Sequence, residues 1–259
     1  FVPSRGLGDV YKRQMVDGAM AAGITITAPG HSDLLTGLRH PFANYPADSN
    51  IGAYLPEVPS LLTALPEGQA LLATNATLVS PLAASLSPAS VPAALVETSS
   101  DRDVFTAMRA AMEGSSLRLV VANLHQADSQ GHAGPVEGYG EKIIDLDETI
   151  PGFWAWIENQ PDWAGRTTLV LVADHGRHRF RGEEGWRDHG DHCTGCREIP
   201  MALIGSGVTP GTVVTGAYTL EDLGQTIAHL LDVPLPYSTG HVINGCLLYT
   251  SDAADDLYR

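Results

Sequence analysis

The sequence predicts an α/β protein: a mostly parallel central sheet with helices on both faces. Three observations point there. Short, continuous apolar runs stand at residues 117–124 (LRLVVANL), 167–173 (TTLVLVA) and 201–204 (MALI). Unbroken rather than alternating apolar residues mark strands buried on both faces. Stretches with helical apolar spacing lie between and after these runs, the order that builds a covered parallel sheet. The composition, 44% hydrophobic and 17% charged, is that of a chain able to fill a core rather than a disordered one.

Taken in order, the elements read as follows. The run GITITAPGHSDLLTG brings Thr27 to the end of a short β-branched stretch, just before a helix led by Ala28 and Pro29. Residues 45–92 are rich in Pro, Ser and Ala and are expected to wrap the sheet or form a small insertion. After the 117–124 strand, residues 136–157 carry Tyr139, Ile143, Leu146, Ile150, Phe153 and Ile157 at helical spacing, with Pro151 expected to break or kink the helix. The 167–173 and 201–204 strands follow. Thr219 then opens a helix, since Asp222 three residues on completes a capping box. Leu220, Leu223, Ile227, Leu230 and Leu231 form its apolar face, and Pro234 ends it.

The 259 residues allow one large domain or two small ones, and no repeat or linker divides them. A single domain over residues 15–245 is therefore expected. Residues 1–14 and 246–259 lack clear periodicity and resemble translated adapter sequence of the kind found at the edges of metagenomic reading frames. They read as non-native terminal scars, with the gene cut at both ends. Thirty acidic residues against fifteen basic ones give a net charge of −15. That excludes a nucleic-acid scaffold binder, which needs clustered Lys and Arg to meet phosphates. No apolar run reaches the length of a membrane span. Three cysteines are too few for a disulfide scaffold, and Cys193 with Cys196 forms a single CxxC, a weak zinc signal without a second pair. A loop-stapling disulfide or free thiols are the expected state.

The chemistry gathers at strand ends, where open α/β sheets hold their functional groups. The first strand runs into HQADSQGH, offering Asp128 and His132; the second into ADHG, offering Asp174 and His175. A polar loop, DHGDHCTGC, then presents His189 and His192 before the third strand. Imidazole nitrogen and carboxylate oxygen together suit a divalent cation such as zinc. One Asp-His pair is commonly a cap or a surface ion pair; three such groups, each at an expected strand end, point to a metal site.

The segments TAPGHSDLLTG, DSQGH, VADHG and DHGDHCTGCREIPMALIGSG, with the later YTLEDLGQTIAHLLDVPLPYSTG, occur in an order and spacing that resemble the alkaline phosphatase superfamily. The likeness is nearest its nucleotide pyrophosphatase/phosphodiesterase branch and its sulfatase-like relatives, and covers about residues 15–244. The resemblance implies an alkaline-phosphatase-like fold and two divalent metal ions, zinc first, with manganese or magnesium as alternatives. It implies that Asp128, His132 and a later histidine hold one metal, with His189 preferred to His192. Asp174 and His175 would hold the second, and Thr27 would be the metal-bound nucleophile. A further aspartate of the family's second site lies on its first strand. Here that strand is expected to be missing, because the nearest acids, Asp9 and Asp17, follow no apolar run. His31 and His125 are expected to pack rather than bind.

The implied activity is hydrolysis of a small-molecule phosphate ester, mono- or diester, through a phospho-threonine. The sulfatases of the superfamily carry a convertible Cys or Ser in C/S-x-P-x-R, whereas this chain has Thr27-Ala28-Pro29-Gly30-His31, which favours phosphoryl over sulfuryl transfer. Phosphomutase chemistry, sulfatase-like activity or an inactive metal-binding fragment are the alternatives. The resemblance favours a periplasmic or extracellular location. The pocket beside the metals is expected to draw on residues 41–92.

Overall fold

In a computed structural model, which describes residues 13–39, 58–76, 95–179 and 185–248, all three apolar runs are strands. The strands are β1 (Arg13–Asp17), β2 (Ala70–Thr74), β3 (Leu95–Glu97), β4 (Leu119–Asn123), β5 (Thr168–Val172), β6 (Met201–Gly205) and β7 (Val213–Thr215). The α-helices are α1 (Thr27–Thr36), α2 (Leu61–Ala64), α3 (Asp101–Met112), α4 (Gln126–Ala133), α5 (Val136–Glu158), α6 (Thr194–Arg197) and α7 (Leu220–Leu231).

The α/β class holds, and the strand pairing is mixed rather than mostly parallel throughout. β3-β2-β4 form a parallel three-stranded sheet. β5-β6-β1-β7 form a four-stranded sheet in which β6 runs antiparallel to both neighbours while β1 and β7 are parallel. The register gives the reason. Val172 lies opposite Met201 and Thr168 opposite Gly205. The chain leaves the end of β5, makes an excursion over residues 173–200 and re-enters beside the point where it left. A strand that returns in this way runs antiparallel. The described residues of the excursion that follow and precede these paired ends, Asp174 and Pro200 among them, therefore stand at one end of the sheet.

Two local expectations are corrected. Residues 70–74, inside the stretch expected to wrap the sheet or form an insertion, are β2, the fully buried middle strand of the three. Its five residues, ALLAT, are a short apolar run that the surrounding Pro, Ser and Ala obscure. The same stretch also holds α2, and its residues 45–57 and 77–92 lie outside the described residues. Pro151 does not end its helix: α5 runs 23 residues through it. The carbonyl four residues earlier, on Asp147, loses its amide partner, but Asp147 is exposed and its carbonyl is open to solvent on that face.

Two helices place the site. α7 opens as expected, with Thr219 N–H donating to Asp222 Oδ2 (2.9 Å) and Asp222 N–H donating to Thr219 Oγ1 (3.4 Å). It stops at Leu231, where Asp232 takes a left-handed conformation (φ 52°), before Pro234 is reached. α1 is almost wholly buried. Its Ala28 and Leu35 share a core with Leu61, Leu62, Leu71, Leu72 and Ala228. Each such leucine contributes roughly 1.5–3 kcal/mol by leaving water. That core fixes the first turn of α1, and so Thr27, against the sheet.

The two expected terminal boundaries fall inside structured turns of chain. The one at 14/15 lies within β1, where the buried Gln14 amide donates to Thr212 Oγ1 (2.6 Å) and the Gly245 carbonyl (2.8 Å). The one at 245/246 lies within a 3-10 turn, Asn244–Cys246. Asp17 closes β1 and is exposed.

Candidate metal centre

Four chain segments converge at the end of the sheet where β5 stops. β4 leads into α4, whose first turn carries Asp128 and whose next turn carries His132 on the same face, four residues on. β5 leads directly to Asp174 and His175. The 173–200 excursion brings back His189. α1 begins at Thr27, and Gly30 one turn in lets it lie against β5's end: a Cβ there would stand 2.5 Å from the Asp174 carbonyl oxygen.

Asp128, His132 and His189 form one cluster. Their ligand atoms all lie within 4.8 Å of one another. His132 Nε2 is 2.9 Å from His189 Nε2, 3.5 Å from Asp128 Oδ2, and His189 Nε2 is 3.7 Å from Asp128 Oδ1. His189 Nδ1 donates to the Thr25 carbonyl (2.8 Å), which fixes its tautomer and turns the Nε2 lone pair into the cluster. Burial, and then the neighbouring His175, push the His189 imidazole below its usual pKa. His189, not His192, joins Asp128 and His132; His192 is exposed.

Thr27, Asp174 and His175 form the second cluster. His175 Nδ1 donates to the Gly176 carbonyl (3.0 Å), leaving Nε2 as an acceptor 3.4 Å from Thr27 Oγ1 and 3.6 Å from Asp174 Oδ2. The two clusters abut, because the His175 and His189 rings stack with centroids 3.8 Å apart. Burial alone would raise the Asp174 carboxyl, but His175 and then His31 hold it well below the usual carboxylate range. Among the described residues, Asp174 and His175 belong to no group of three ligating side chains.

Two residues expected to pack, or not singled out, complete the site. His31 is buried and its Nδ1 lies 2.7 Å from the Thr27 carbonyl, to which it donates, and 3.3 Å from Asp174 Oδ2. Arg177 donates from one guanidinium nitrogen to both the Asp128 carboxylate and the Asp128 carbonyl (2.8 Å), and from another to the Arg187 carbonyl (2.7 Å). His31 follows Thr27 by one helical turn and so was within reach of the site in sequence. Nothing in the sequence pairs Arg177 with Asp128. His125 lies at the margin, its Nδ1 3.8 Å from Asp128 Oδ2.

The donor set fits divalent cations. Two imidazole Nε2 atoms and a carboxylate face one another across one small space, and His189 is bonded to the backbone through Nδ1, leaving Nε2 as its ligand atom. Nitrogen and oxygen ligands in that arrangement suit zinc or manganese.

This combination of an α/β sheet with Asp and His clusters at its strand ends is the arrangement of a candidate metal site. The chain belongs to the Metalloenzyme superfamily, whose sequence profile matches residues 84–235. The superfamily is alkaline phosphatase-like and comprises metal-dependent enzymes that transfer or hydrolyse phosphoryl and sulfuryl groups. The match includes every clustered Asp and His but not Thr27. The chain is 30% identical over 141 residues to a phosphopentomutase of Symbiobacterium thermophilum, covering 54% of this chain and 32% of that protein. It is 30% identical over 128 residues to a 2,3-bisphosphoglycerate-independent phosphoglycerate mutase of Streptomyces coelicolor, covering 47% and 24%. The chain thus spans about a third or less of the curated relatives it matches. A crystal structure of an alkaline phosphatase superfamily protein from Vibrio parahaemolyticus shares the fold, with a TM-score of 0.64 at 13% identity, covering 94% of this chain and 64% of that one. Among the described residues no helix is long and apolar enough to cross a membrane.

Proposed function

We propose that residues 15–245 form one catalytic domain that hydrolyses a small phosphate ester with Thr27 as nucleophile. One divalent cation is held by Asp128, His132 and His189, and a second by Asp174, His175 and Thr27. The observation that carries this reading is the stacked His175–His189 pair, which joins the two clusters with Thr27 Oγ1 beside them. Cations bound there, zinc by preference, supply positive charge to the phosphoryl oxygens and lower the pKa of the Thr27 hydroxyl.

The chain's own groups do the rest. Thr27 stands at the N-terminus of α1, where backbone N–H groups and the helix dipole favour an anion. His175 Nε2, 3.4 Å from Thr27 Oγ1, accepts from that hydroxyl in the metal-free chain and would give the same lone pair to the second cation. Thr27 gives up its hydroxyl proton to solvent and Oγ1 forms a bond to phosphorus as the bond to the leaving alcohol oxygen breaks, the alcohol departing with a proton taken from water. Water then attacks the phospho-threonine, releasing phosphate and restoring the hydroxyl. Arg177 holds the Asp128 carboxylate in orientation throughout.

A second reading is favoured by the two relatives named as mutases. In a mutase the phospho-threonine returns its phosphoryl group to another hydroxyl of the substrate rather than to water, and Thr27 serves both. The test is to load the full chain with zinc or manganese and offer an aryl phosphate monoester, a diester and a pentose 1-phosphate. Phosphorus NMR then separates the readings. Free phosphate from an ester supports the hydrolase. A pentose phosphate isomer without free phosphate replaces it with the mutase. Stoichiometric metal without either product overturns both.

A further inference from the structure

The 173–200 excursion carries a second group of ligating side chains that phosphate-ester chemistry leaves unused. His178, Asp191, Cys193 and Cys196 each offer one ligand atom, and all four atoms lie within 4.8 Å of one another. Around a tetrahedral zinc, with bonds of about 2.0–2.3 Å, ligand atoms stand about 3.3–3.8 Å apart. The group is therefore already gathered to nearly the size of an occupied site.

Three features distinguish it from a chance meeting of polar side chains. The two thiols are free rather than joined as a disulfide, and Cys196 is fully buried. His178, also buried, donates from Nδ1 to the Gly185 carbonyl (3.2 Å), so its Nε2 presents a lone pair. That Nε2 is sealed from water 3.1 Å from Asp191 Oδ1, without hydrogen-bond geometry to it. A lone pair facing a carboxylate is unfavourable unless a positive charge lies between them. A proton on Nε2 would supply that charge, and the Cys193 and Cys196 thiols lie within hydrogen-bond reach of the same Asp191 carboxylate, so one cation at that point would replace all three protons at once. The backbone holds the cysteines in place, with Cys196 N–H donating to Cys193 Sγ (3.4 Å) and Cys193 N–H to Asp191 Oδ1 (2.9 Å).

We propose that His178, Asp191, Cys193 and Cys196 bind a structural zinc ion, separate from the phosphate-ester centre. Two sulfur donors select zinc over magnesium or calcium, and four protein ligands leave no open position for a substrate. Such an ion fastens the two limbs of the excursion together. One limb carries Asp174 and His175, the other His189. They already touch through Gly176 N–H donating to the Cys196 carbonyl (2.7 Å) and His178 N–H donating to the Asp188 carbonyl (3.2 Å). Gly176 has no room for a Cβ, which would collide with the Gly195 carbonyl, so this contact is tight. Cys193 and Cys196 alone are a weak signal in sequence; His178, fifteen residues upstream of Cys193, turns them into a site.

The experiment replaces zinc by cobalt in the full chain and records the absorption spectrum. A cobalt–thiolate charge-transfer band with intense tetrahedral visible bands is expected. It should persist when Asp128→Asn and His132→Asn empty the other cluster. Cys193→Ala should remove the band together with one equivalent of bound metal. Should that variant fail to fold, thiol titration of the unaltered chain decides, with a chelator expected to expose two further reactive thiols. Absence of the charge-transfer band in the unaltered chain, thiols equally reactive with and without chelator, or a Cys193–Cys196 disulfide in freshly prepared protein would each overturn the proposal.

Discussion

The two clusters at the end of β5 use the same residue types and differ in how many ligating side chains each gathers. Around Asp128, two imidazole nitrogens and a carboxylate crowd one space, and His189 is fixed as an acceptor by Thr25. Around Asp174, the carboxylate already has a partner in His31, and His175 Nε2 already has the Thr27 hydroxyl. The first cluster gathers three ligating side chains at one point, although the Arg177 guanidinium already pairs with its carboxylate. The second has only two side chains besides Thr27 to offer. Preorganisation therefore differs between neighbours that share a stacked ring pair, and the first cluster should bind the tighter ion.

The largest effect should come from Thr27→Ala, which touches only the second cluster. Turnover is expected to fall by at least about 10³-fold, because the phosphoryl group loses its acceptor. The ion at Asp128, His132 and His189 should remain. Steady-state assay with metal analysis reads both, and near-normal turnover would move the nucleophile elsewhere.

A metal titration sharpens the comparison next. Cations added to the metal-free chain should fill the Asp128 cluster first and the Asp174 cluster at higher concentration. Losing Arg177 should act on the first cluster alone. Arg177→Met is expected to weaken the tighter ion about 10–100-fold, the usual cost of removing a partner that orients a metal-binding carboxylate. Calorimetric titration of the chain and the variant resolves the two events. Equal affinities, or an Arg177→Met effect on the weaker ion only, would break the contrast.

Much of this was legible in the sequence wherever the signal is local. The unbroken apolar runs gave β4, β5 and β6, and the Thr219–Asp222 capping box gave the start of α7. Asp128 and His132, four residues apart, share a helix face by the geometry of any α-helix. The mixed pairing was not legible, because apolar character says that a strand is buried but not which way it runs. β2 was hidden by the composition of its flanks. The partners of Asp128 and Asp174 were also hidden. Arg177 and His31 reach them only once the excursion after β5 and the first turn of α1 are packed against the same sheet end, and contact across 49 or 143 residues leaves no trace in one sequence.

The smallest effect is the most specific to the second cluster. Burial lowers the pKa of His31, but its bond to Asp174 and the charge of that carboxylate outweigh burial, so the net shift is upward from 6.5. Asp174 shifts downward from 3.8. A raised histidine stabilises the fold fully below its unfolded pKa and loses that contribution as pH rises through the folded value. A depressed aspartate stabilises it above its unfolded pKa and loses the contribution as pH falls through the folded value. In the metal-free chain the pair should therefore stabilise most between about pH 4 and 6.5. Protonated His31 carries a hydrogen on Nε2, which faces the Asn123 amide at 3.0 Å. The amide accommodates it by turning its oxygen to the ring, because the Thr74 hydroxyl on its other side, 3.0 Å away, both donates and accepts. The melting temperature of the metal-free chain should decline on either side of that window, and His31→Gln should flatten the alkaline decline. A cation on Asp174 takes over the role of the charged imidazole, so the same profile measured with metal in excess should lose its dependence on residue 31. If His31→Gln leaves the metal-free profile unchanged, His31 does not balance Asp174, and the second cluster is as open to a cation as the first.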